Sequence, residues 1–563
     1  MTEESILIYF CLILFVVILF ASSVRMARKQ KKQFIMQIRN NWGKAPNREY
    51  TYEEFESISH YAKKQKNGSF WIDDITWNDL DMDYIFMLIN NTISSCGEEN
   101  LYYMLRKPLF SQKELDERNR LIEFFRNNAD VREKVQILLG EIGKTRTVSL
   151  CEYIYRLKDA RRKSNLKYYC LIACAGLAAV SFFINPLAGL LMVMGLLVYN
   201  MYLHISEKGE MEVYLNCFRC ILNMVGAVGK LEKENIPEIK SYTEALRKGK
   251  KGLAGFTRGA FLVTSNGTIS GDIGTAVLES IKMLFDVDKI KYNSMLRQLD
   301  GHEDDVEELM KQWGILDSAI AVASFREYLP YYTRGIFEKM HPLTMEVKNL
   351  YHPLIEEPVA NSISVKGGIL ITGSNASGKS TFIKTVAINS ILAQTIDTAV
   401  ASSYKSSFLK IMTSMALNDN LEKGESYYIV EIKSLKRILD ESKKKEPMLC
   451  IIDEVLRGTN TIERIAASSQ ILKVLGENEQ VLSFAATHDL ELSYLLEPLY
   501  TNYHFEEELS EHDVQFSYVL KTGRTNTRNA IRLLQIMGYD TDIVENAGKE
   551  ALSFENTGEW KLC

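Results

Sequence analysis

The segment Gly373-Ser-Asn-Ala-Ser-Gly378-Lys379-Ser380 decides the fold of the carboxyl-terminal part of the chain. It follows the strand-like run Gly368–Thr372, precedes a helical run, and fits the pattern G-x-x-x-x-G-K-[ST] in full. Glycines let backbone N–H groups wrap phosphates, the lysine neutralises the β- and γ-phosphate oxygens, and the serine binds Mg²⁺. The spacing therefore predicts a site for ATP and Mg²⁺. The residues expected there are Gly373, Ser374, Asn375, Ala376, Ser377, Gly378, Lys379, Ser380 and Thr381.

A second apolar run, Met448–Ile452, ends in the two carboxylates Asp453 and Glu454. After a phosphate-binding loop, this pattern indicates that Asp453 helps Ser380 to organise the Mg²⁺ shell. The neighbouring Glu454 is expected to orient and deprotonate the attacking water. One metal ligand and the base are thus predicted at the end of the same strand.

A third strand-like run, Val481–Ala486, leads to Thr487-His488-Asp489. A lone histidine is usually structural, but one at the end of such a strand is placed to sense the γ-phosphate of ATP. The predicted catalytic residues are Lys379, Glu454 and His488, and the predicted metal ligands are Ser380 and Asp453. Short β-rich runs alternate with helices from Asn349 onward, which is typical of a parallel α/β domain.

The segment Asp419–Ser426 lies between these motifs and precedes a helical run that begins at Tyr427. A serine at a helix start has a plain interpretation as an N-cap. The functional alternative is a signature loop, in which Ser426 touches ATP held by another subunit. Spacing alone leaves both interpretations open.

Two apolar blocks predict membrane segments. Residues 5–24 reach the length of about 20 residues that a span needs, and eight basic residues with no acidic one lie between Ala21 and Arg48. The positive-inside rule then favours an uncleaved anchor with its N-terminus outside, against the alternative of a cleaved signal peptide. The second block, Tyr168–Leu203, is broken at Asn185-Pro186 and predicts a transmembrane hairpin; the alternative is a buried helix pair.

The predicted fold class is multidomain: transmembrane helices, an all-α core or lever, and a carboxyl-terminal α/β P-loop NTPase domain of the ABC type. The protein is accordingly expected to be a multi-pass membrane protein with the bilayer as a partner and its ATPase domain in the cytoplasm. The predicted domains are an anchor (1–25), a basic arm (26–70), a helical core (71–166), the hairpin (167–204), the second part of the core (205–345) and the ATPase domain (346–563).

Composition narrows the functional classes. With 46% hydrophobic and 25% charged residues among 563, the chain is neither disordered nor collagen-like. The formal net charge of −5 means that any nucleic acid would have to bind a local basic patch. Of the nine cysteines, only Cys217 and Cys220 form a close pair outside the apolar runs, and no second pair completes a zinc site. We therefore expect reduced cysteines and no metal cluster.

Taken together, these motifs resemble the ATPase domain of MutS DNA mismatch repair proteins. The resemblance extends upstream into the helical core domain of that family and covers roughly residues 71–150 and 300–540. It implies an Mg²⁺-dependent ATPase of the DNA-damage-sensing type, a homodimer with composite ATP sites, and double-stranded DNA as a partner. It also implies that His352, Val359 and Asn361 border the adenine and that Ser426 belongs to the signature. The segments that carry it are Ile371–Thr381, Asp419–Ile432, Ile452–Thr461, Ala486–Asp489, Leu316-Asp317, Tyr351–Ile355, Val359–Asn361, Ile75–Leu80, Cys96-Gly97, Pro108-Leu109 and Glu114–Arg120.

The chain also departs from the family pattern. Its phosphate loop reads Ser374-Asn-Ala-Ser377 where the family usually has Pro-Asn-Met-Gly, the amino-terminal mismatch-reading domain is not visible, and the late Ser-Tyr-Gly-Ile-His element becomes Thr527–Ile531. Three functions stay open: a membrane-anchored MutS-like ATPase coupled to mismatched or structured DNA, an ABC-type membrane ATPase that moves or remodels another substrate, and a nucleotide-switched scaffold. Candidate DNA contacts, which are equally interpretable as topology signal or solvated surface, are Lys29–Arg48, Arg156–Lys167 and Lys248–Arg258.

Overall fold

The computed structural model divides into two compact units. It describes residues 28–66, 68–145, 149–159, 164–257, 287–339, 341–374, 377–415, 427–509, 514–525 and 530–560, with Ser22, Arg25, Met26 and Leu562. The first unit, here the helical unit, contains the described residues up to Lys66 together with Ile89–Tyr103 and Arg120–Tyr328. The second, the sheet unit, contains Asn67–Leu88, Met104–Asn119 and the described residues from Leu329 onward.

The regular secondary structure of the described residues as far as Tyr328 is helical. Their bounds are α1 (28–41), α2 (Tyr52–Lys64), α3 (Asp74–Asp79), α4 (Met82–Ile89), α5 (Ser95–Arg106), α6 (Gln112–Asn127), α7 (Ala129–Ile142), α8 (Leu150–Asp159), α9 (Leu166–Ile184), α10 (Pro186–Glu234), α11 (Lys240–Gly252), α12 (Ala254–Thr257), α13 (Val287–Leu299) and α14 (Glu303–Tyr328). A short 3₁₀ turn, Pro237–Ile239, precedes α11.

Strands and helices alternate in the rest of the sheet unit. The strands are β1 (Gly335–Phe337), β2 (Thr344–Leu350), β3 (Asn361–Lys366), β4 (Gly368–Thr372), β5 (Ser403–Ser406), β6 (Lys410–Ser414), β7 (Met448–Asp453), β8 (Val481–Thr487), β9 (Tyr500–Leu509) and β10 (Val514–Thr522). The helices are α15 (Lys379–Ile396), α16 (Tyr427–Ser442), α17 (Thr461–Gly476), α18 (Leu490–Leu495), α19 (Ala530–Ile536) and α20 (Thr541–Thr557).

A six-stranded sheet with the order β10-β9-β4-β8-β7-β6 forms the centre of the sheet unit. Its five strands from β9 to β6 run parallel, and only β10 is antiparallel at the edge. All residues of β4 and β8 are buried, as are those of β7 before Asp453. Such continuous apolar runs are typical of parallel strands that are covered on both faces. The carboxyl ends of β4, β7 and β8 consequently meet at one edge of the sheet.

A smaller sheet, with the order β1-β5-β2-β3, completes the β-structure of this unit. An early segment of the chain packs beside β6 of the larger sheet, because the Asp79 carboxylate accepts hydrogen bonds from Thr413 Oγ1 at 2.6 Å and from the Met415 N–H at 3.1 Å. The guanidinium of Arg437 adds bonds to the Asp73 carboxylate and the Thr413 carbonyl. Residues more than 300 positions apart therefore build one unit.

Helix α14 is the central element of the helical unit, and its side chains are buried over most of its length. The fully buried Asp317 carboxylate accepts hydrogen bonds from the backbone N–H groups of Ile93 at 3.1 Å and Ser94 at 2.8 Å, and from Ser94 Oγ at 2.6 Å. A Cβ at Gly97 would lie 2.2 Å from Asp317 Oδ2, so this close approach requires glycine. Asp317 thus joins α14 to the turn before α5.

The structure contradicts the predicted transmembrane hairpin and, with it, the transmembrane fold class and the multi-pass membrane localisation. Among the described residues, no helix combines the length and the apolarity that crossing a bilayer requires. Helix α10 continues past residue 204 to Glu234 and spans roughly 74 Å at 1.5 Å per residue. Its later side chains, such as Phe218 and Met224, are buried in the helical unit. The apolar run Tyr168–Leu203 therefore comprises most of α9 and the first part of the longer helix α10.

The predicted anchor at residues 1–25 lies almost entirely outside the described residues. The basic arm that follows is helical in α1, and part of its charge is paired within the helical unit. Arg39 Nε donates to Glu133 at 2.6 Å, and Arg48 contacts Glu54 at 2.9 Å and Glu98 at 3.0 Å. These arginines therefore have structural contacts of their own.

Replacing Asp317 by alanine is expected to destabilise the helical unit by about 3 kcal/mol, because two N–H groups and one hydroxyl are deprived of their buried acceptor. Asp317→Asn keeps one acceptor oxygen, so its stability should fall between those of the parent and of Asp317→Ala. Urea unfolding and hydrogen–deuterium exchange of the peptide around Ile93 and Ser94 measure the effect. Asp304→Ala, on the exposed face of the same helix, is the control. Unchanged exchange in the alanine variant would refute this role.

Candidate functional site

The phosphate-binding loop connects β4 to α15 at the carboxyl edge of the large sheet. Gly373 and Gly378 adopt φ of 147° and 103°, in the region that favours glycine. A Cβ at Gly373 would lie 2.9 Å from the Phe505 carbonyl oxygen. The predicted residues Asn375 and Ala376 lie outside the described residues, whereas Ser374, Ser377 and Thr381 belong to the described part of this segment. The glycines let the backbone turn tightly enough to present its N–H groups.

Lys379, the first residue of α15, is buried in the loop. Its Nζ donates to the carbonyl oxygens of Gly373 at 2.7 Å and Ser374 at 2.5 Å. Burial lowers the pKa of Lys379, while the nearby carboxylates of Glu454 and Asp453 act in the opposite direction. A buried ammonium that donates to carbonyl oxygens is well suited to exchange them for phosphate oxygens.

Asp453 and Ser380 form the candidate magnesium site. Burial raises the pKa of Asp453, and a hydrogen bond from the Ser380 hydroxyl opposes that shift. The Asp453 Oδ1 atom is buried and has no hydrogen-bond partner among the described residues. A carboxylate oxygen that lacks a donor, next to a serine hydroxyl, fits a Mg²⁺ ion that takes its other ligands from phosphate and water.

Glu454 occupies a strained position directly after β7, with φ of 55°. Its N–H donates to the Ala486 carbonyl oxygen at 2.9 Å, and its nearly buried carboxylate lies between His488 Nδ1, at 3.3 Å, and the Arg457 guanidinium. Burial by itself would raise the pKa of Glu454, but the contacts with His488 and Arg457 lower it to about 2. The carboxylate is therefore ionised, and both of its oxygens are already engaged.

His488 follows β8, as the sequence predicted, and contacts the carboxylates on both sides of it. The contact with Glu454 raises the pKa of His488, burial acts against this, and the charge of Asp489 adds to the increase. Asp489 is itself fixed by Arg464, whose Nη2 and Nε donate to its two oxygens at 2.6 and 2.9 Å. The imidazole therefore has a defined place beside the predicted base.

One cavity of about 680 Å³ brings several of the predicted groups together, although Asp453 and His488 are not among its lining residues. It is lined by residues from the phosphate loop and α15, by Glu454, and by His352, Val359 and Asn361. A cavity of this volume is in the range of small-molecule and cofactor sites. Groups from three separate stretches that the sequence motifs indicated thus line a single space.

The lining residues that were not predicted as site residues from the sequence include Arg457, Phe505 and Tyr518. Tyr518 reaches the cavity because Asn361 binds the backbone of β10: its Nδ2 donates to the Tyr518 carbonyl at 3.0 Å, and its Oδ1 accepts the Leu520 N–H at 2.7 Å. Asn361 therefore braces the wall of the cavity. No spacing rule connects positions 361 and 518, although Arg457 stands three residues after Glu454 and could have been considered.

Ser426 lies outside the described residues, and α16 begins at the next residue. One turn into this helix, the Glu431 carboxylate accepts the N–H of Leu456. The helix after the candidate signature therefore contacts the turn that carries the predicted base. The close cysteine pair, Cys217 and Cys220, is buried in α10 as free thiols.

Residues 369–555 match the family model of MutS domain V. Over these residues the chain is similar to the MutS family. The DNA mismatch repair protein MutS of Fusobacterium nucleatum is 23% identical over 510 residues, which covers 82% of this chain and 56% of that protein. The DNA mismatch repair protein MSH3 of Candida glabrata is 28% identical over 286 residues, which covers 48% of this chain and 28% of that protein. The human MutS protein homolog 4 is 32% identical over 223 residues, which covers 36% of this chain and 23% of that protein.

These matches support membership in the MutS family, as the sequence motifs indicated. The match with the Fusobacterium protein extends the likeness well beyond MutS domain V. The chain nevertheless spans only between about a quarter and rather more than half the length of these relatives.

His352 provides a test of the cavity wall. Burial, with a smaller contribution from Lys384, lowers the pKa of His352 to about 4, and its Nδ1 accepts the Leu354 N–H at 3.3 Å. The unfolded chain, with a histidine pKa near 6.5, binds the proton first as the pH falls, so stability is lost between about pH 6.5 and 4. In His352→Gln, unfolding free energies measured across this window should fall less steeply than in the parent. The exposed His341→Gln is the control, and equal slopes in all three proteins would contradict the prediction.

Proposed function

We propose that the MutS domain V region of this chain binds and hydrolyses ATP with Mg²⁺, and that residues 346–563 form the ATPase domain with helical lever segments at 71–166 and 205–345. The observation that carries the proposal is the single cavity in which Lys379 and Ser380 face Glu454. The MutS family match supports it, because ATP with Mg²⁺ is used in that family.

The residues divide into three roles. Backbone N–H groups of Gly373–Thr381 and the Lys379 ammonium bind the β- and γ-phosphates, and His352, Val359 and Asn361 form the wall for the base. Ser380 and Asp453 hold Mg²⁺, which neutralises charge on the phosphate oxygens. Glu454 orients and deprotonates the attacking water, while His488 contacts the terminal phosphate region from the other side of this carboxylate.

Two substitutions should separate binding from chemistry. Lys379→Ala removes the buried cation and should weaken nucleotide binding, measured by titration with a fluorescent ATP analogue. Glu454→Gln should keep binding but lower the hydrolysis rate by at least about 100-fold, because the general base is lost. Lys473→Ala, on the exposed side of α17, is the control. An unchanged turnover in Glu454→Gln would defeat the role assigned to this carboxylate.

The active unit is proposed to be a homodimer in which Ser426 of one subunit faces the ATP of the other. The support is the resemblance of Asp419–Ile432 to the family signature and the work of MutS family proteins as dimers. Mass measurement by light scattering should show that Glu454→Gln forms dimers with ATP, and that Ser426→Ala in the same background weakens them. A monomer at every ATP concentration would refute the composite site.

Double-stranded DNA is the proposed partner, because a relative that matches 82% of this chain is a DNA mismatch repair protein. On the described surface, the candidate contacts are the exposed lysines of α1 (Lys29, Lys31 and Lys32) and of α11 (Lys248 and Lys251). Arg39 and Arg48 are ion-paired, and the side chains of 155–163 in the second candidate patch are not described.

DNA should stimulate the ATPase, and the stimulation should fade with salt because phosphate contacts release counterions. ATPase rates with no DNA, homoduplex, mismatched duplex and branched DNA at two salt concentrations measure this. Replacing Lys29, Lys31 and Lys32 by glutamine should lower the salt slope of binding by about 0.9 for each lysine that pairs with a phosphate. The matched control replaces Lys443, Lys444 and Lys445, which are exposed in the sheet unit. A steady rate that is indifferent to every DNA would instead favour a motor acting on another substrate.

A further inference from the structure

Arg457 contacts the predicted base but is otherwise open to the cavity. Its Nε donates to Glu454 Oε2, and its two Nη groups have no hydrogen-bond partner among the described residues. The side chain is 51% exposed, whereas that of Glu454 is only 6% exposed. The carboxylate is therefore enclosed, and the guanidinium keeps most of its five N–H donors available on the cavity side.

The turn that carries both residues is fixed at its backbone. The Glu454 N–H binds the Ala486 carbonyl, the Leu456 N–H binds the Glu431 carboxylate, and Ser468 Oγ donates to the Val455 carbonyl at 3.2 Å. Glu454 and Leu456 both adopt positive φ, at 55° and 59°. A strained turn persists only when its surroundings hold it. Any response of this region to a ligand would consequently be concentrated in the Arg457 side chain.

The chemistry of the cavity supplies a reason for such a response. Arg457 lines the same space as Lys379 and Ser380, which face the predicted phosphate positions. A terminal phosphate placed there would meet the ionised Glu454 as a like charge. The guanidinium beside Glu454 is the group that can offset this repulsion, since its fork matches phosphate oxygens as well as carboxylates.

We propose that Arg457 is the residue that distinguishes the triphosphate from the diphosphate: it holds Glu454 while no terminal phosphate is bound, and moves its guanidinium to that phosphate when ATP enters. Glu454 is released to act on water only in the triphosphate complex. The proposal rests on the ATP site proposed above and assigns a specificity residue to it.

The test compares affinities rather than rates. Full-length protein is titrated with a non-hydrolysable ATP analogue and with ADP, both with Mg²⁺, in the parent and in Arg457→Gln. Removal of a charge-assisted bond to the terminal phosphate should lower the affinity for the ATP analogue by about 10- to 100-fold. The affinity for ADP should stay within about twofold of the parent value. Arg457→Lys, which keeps the charge without the fork, should be intermediate. Lys473→Gln is the matched control on an exposed face of the neighbouring helix.

A second comparison tests the exchange itself. Glu454→Gln frees the guanidinium and should raise the affinity for the ATP analogue without changing the affinity for ADP. This gain in affinity should vanish in the double variant Glu454→Gln/Arg457→Gln. If the gain persists in the double variant, repulsion by Glu454 alone explains it and the exchange is refuted. Equal effects of Arg457→Gln on both nucleotides, or none on either, would also overturn the proposal. Failure of the parent to bind both nucleotides would instead refute the ATP site. Circular dichroism checks that each variant is folded.

Discussion

The parallel order of β4, β8 and β7 is the constraint on which the candidate site depends. Each of these strands is buried over its length, so its first polar residues can appear only where the strand ends. Because the three ends lie at one edge, the phosphate loop, the Asp453-Glu454 pair and His488 become neighbours although more than 100 residues separate the first from the last. The hydrophobic core of the sheet thus determines where charge can be concentrated.

Charge at that edge is balanced by close contacts between side chains and with backbone carbonyl groups. Lys379 donates to two carbonyl oxygens, Asp453 has one oxygen that no described residue donates to, and Glu454 is held between a histidine and an arginine. In a site of low dielectric, each group is sensitive to the arrival of another charge. This sensitivity is the physical basis on which a phosphate ligand could change the contacts of several side chains together.

Much of the site could be predicted because its chemistry lies in short, contiguous motifs. The loop Gly373–Ser380 and the Asp453-Glu454 pair each follow an apolar run, and both were located from sequence. Tyr518 could not be located, since it joins the cavity through a hydrogen bond to Asn361, and pairing between distant strands leaves no local signal. The hairpin prediction was wrong because a window of about 20 residues cannot show that α10 continues to Glu234 and buries its later side chains in the helical unit. MutS family membership, by contrast, was indicated by the motifs and is supported by the comparisons.

The contacts of Asp317 and Asp79 have a consequence for the synthesis of the chain. The N–H groups of Ile93 and Ser94 can bond to their acceptor, Asp317, only after the ribosome has added more than 200 further residues. The Asp79 carboxylate likewise can accept its hydrogen bonds only after Thr413 and Met415 have been synthesised. Closing such long loops costs conformational entropy before any contact rewards it. Nascent chains that have not reached these partners expose the early helices for the longest time, so this interval is where a cell's chaperones have the most opportunity to bind this protein.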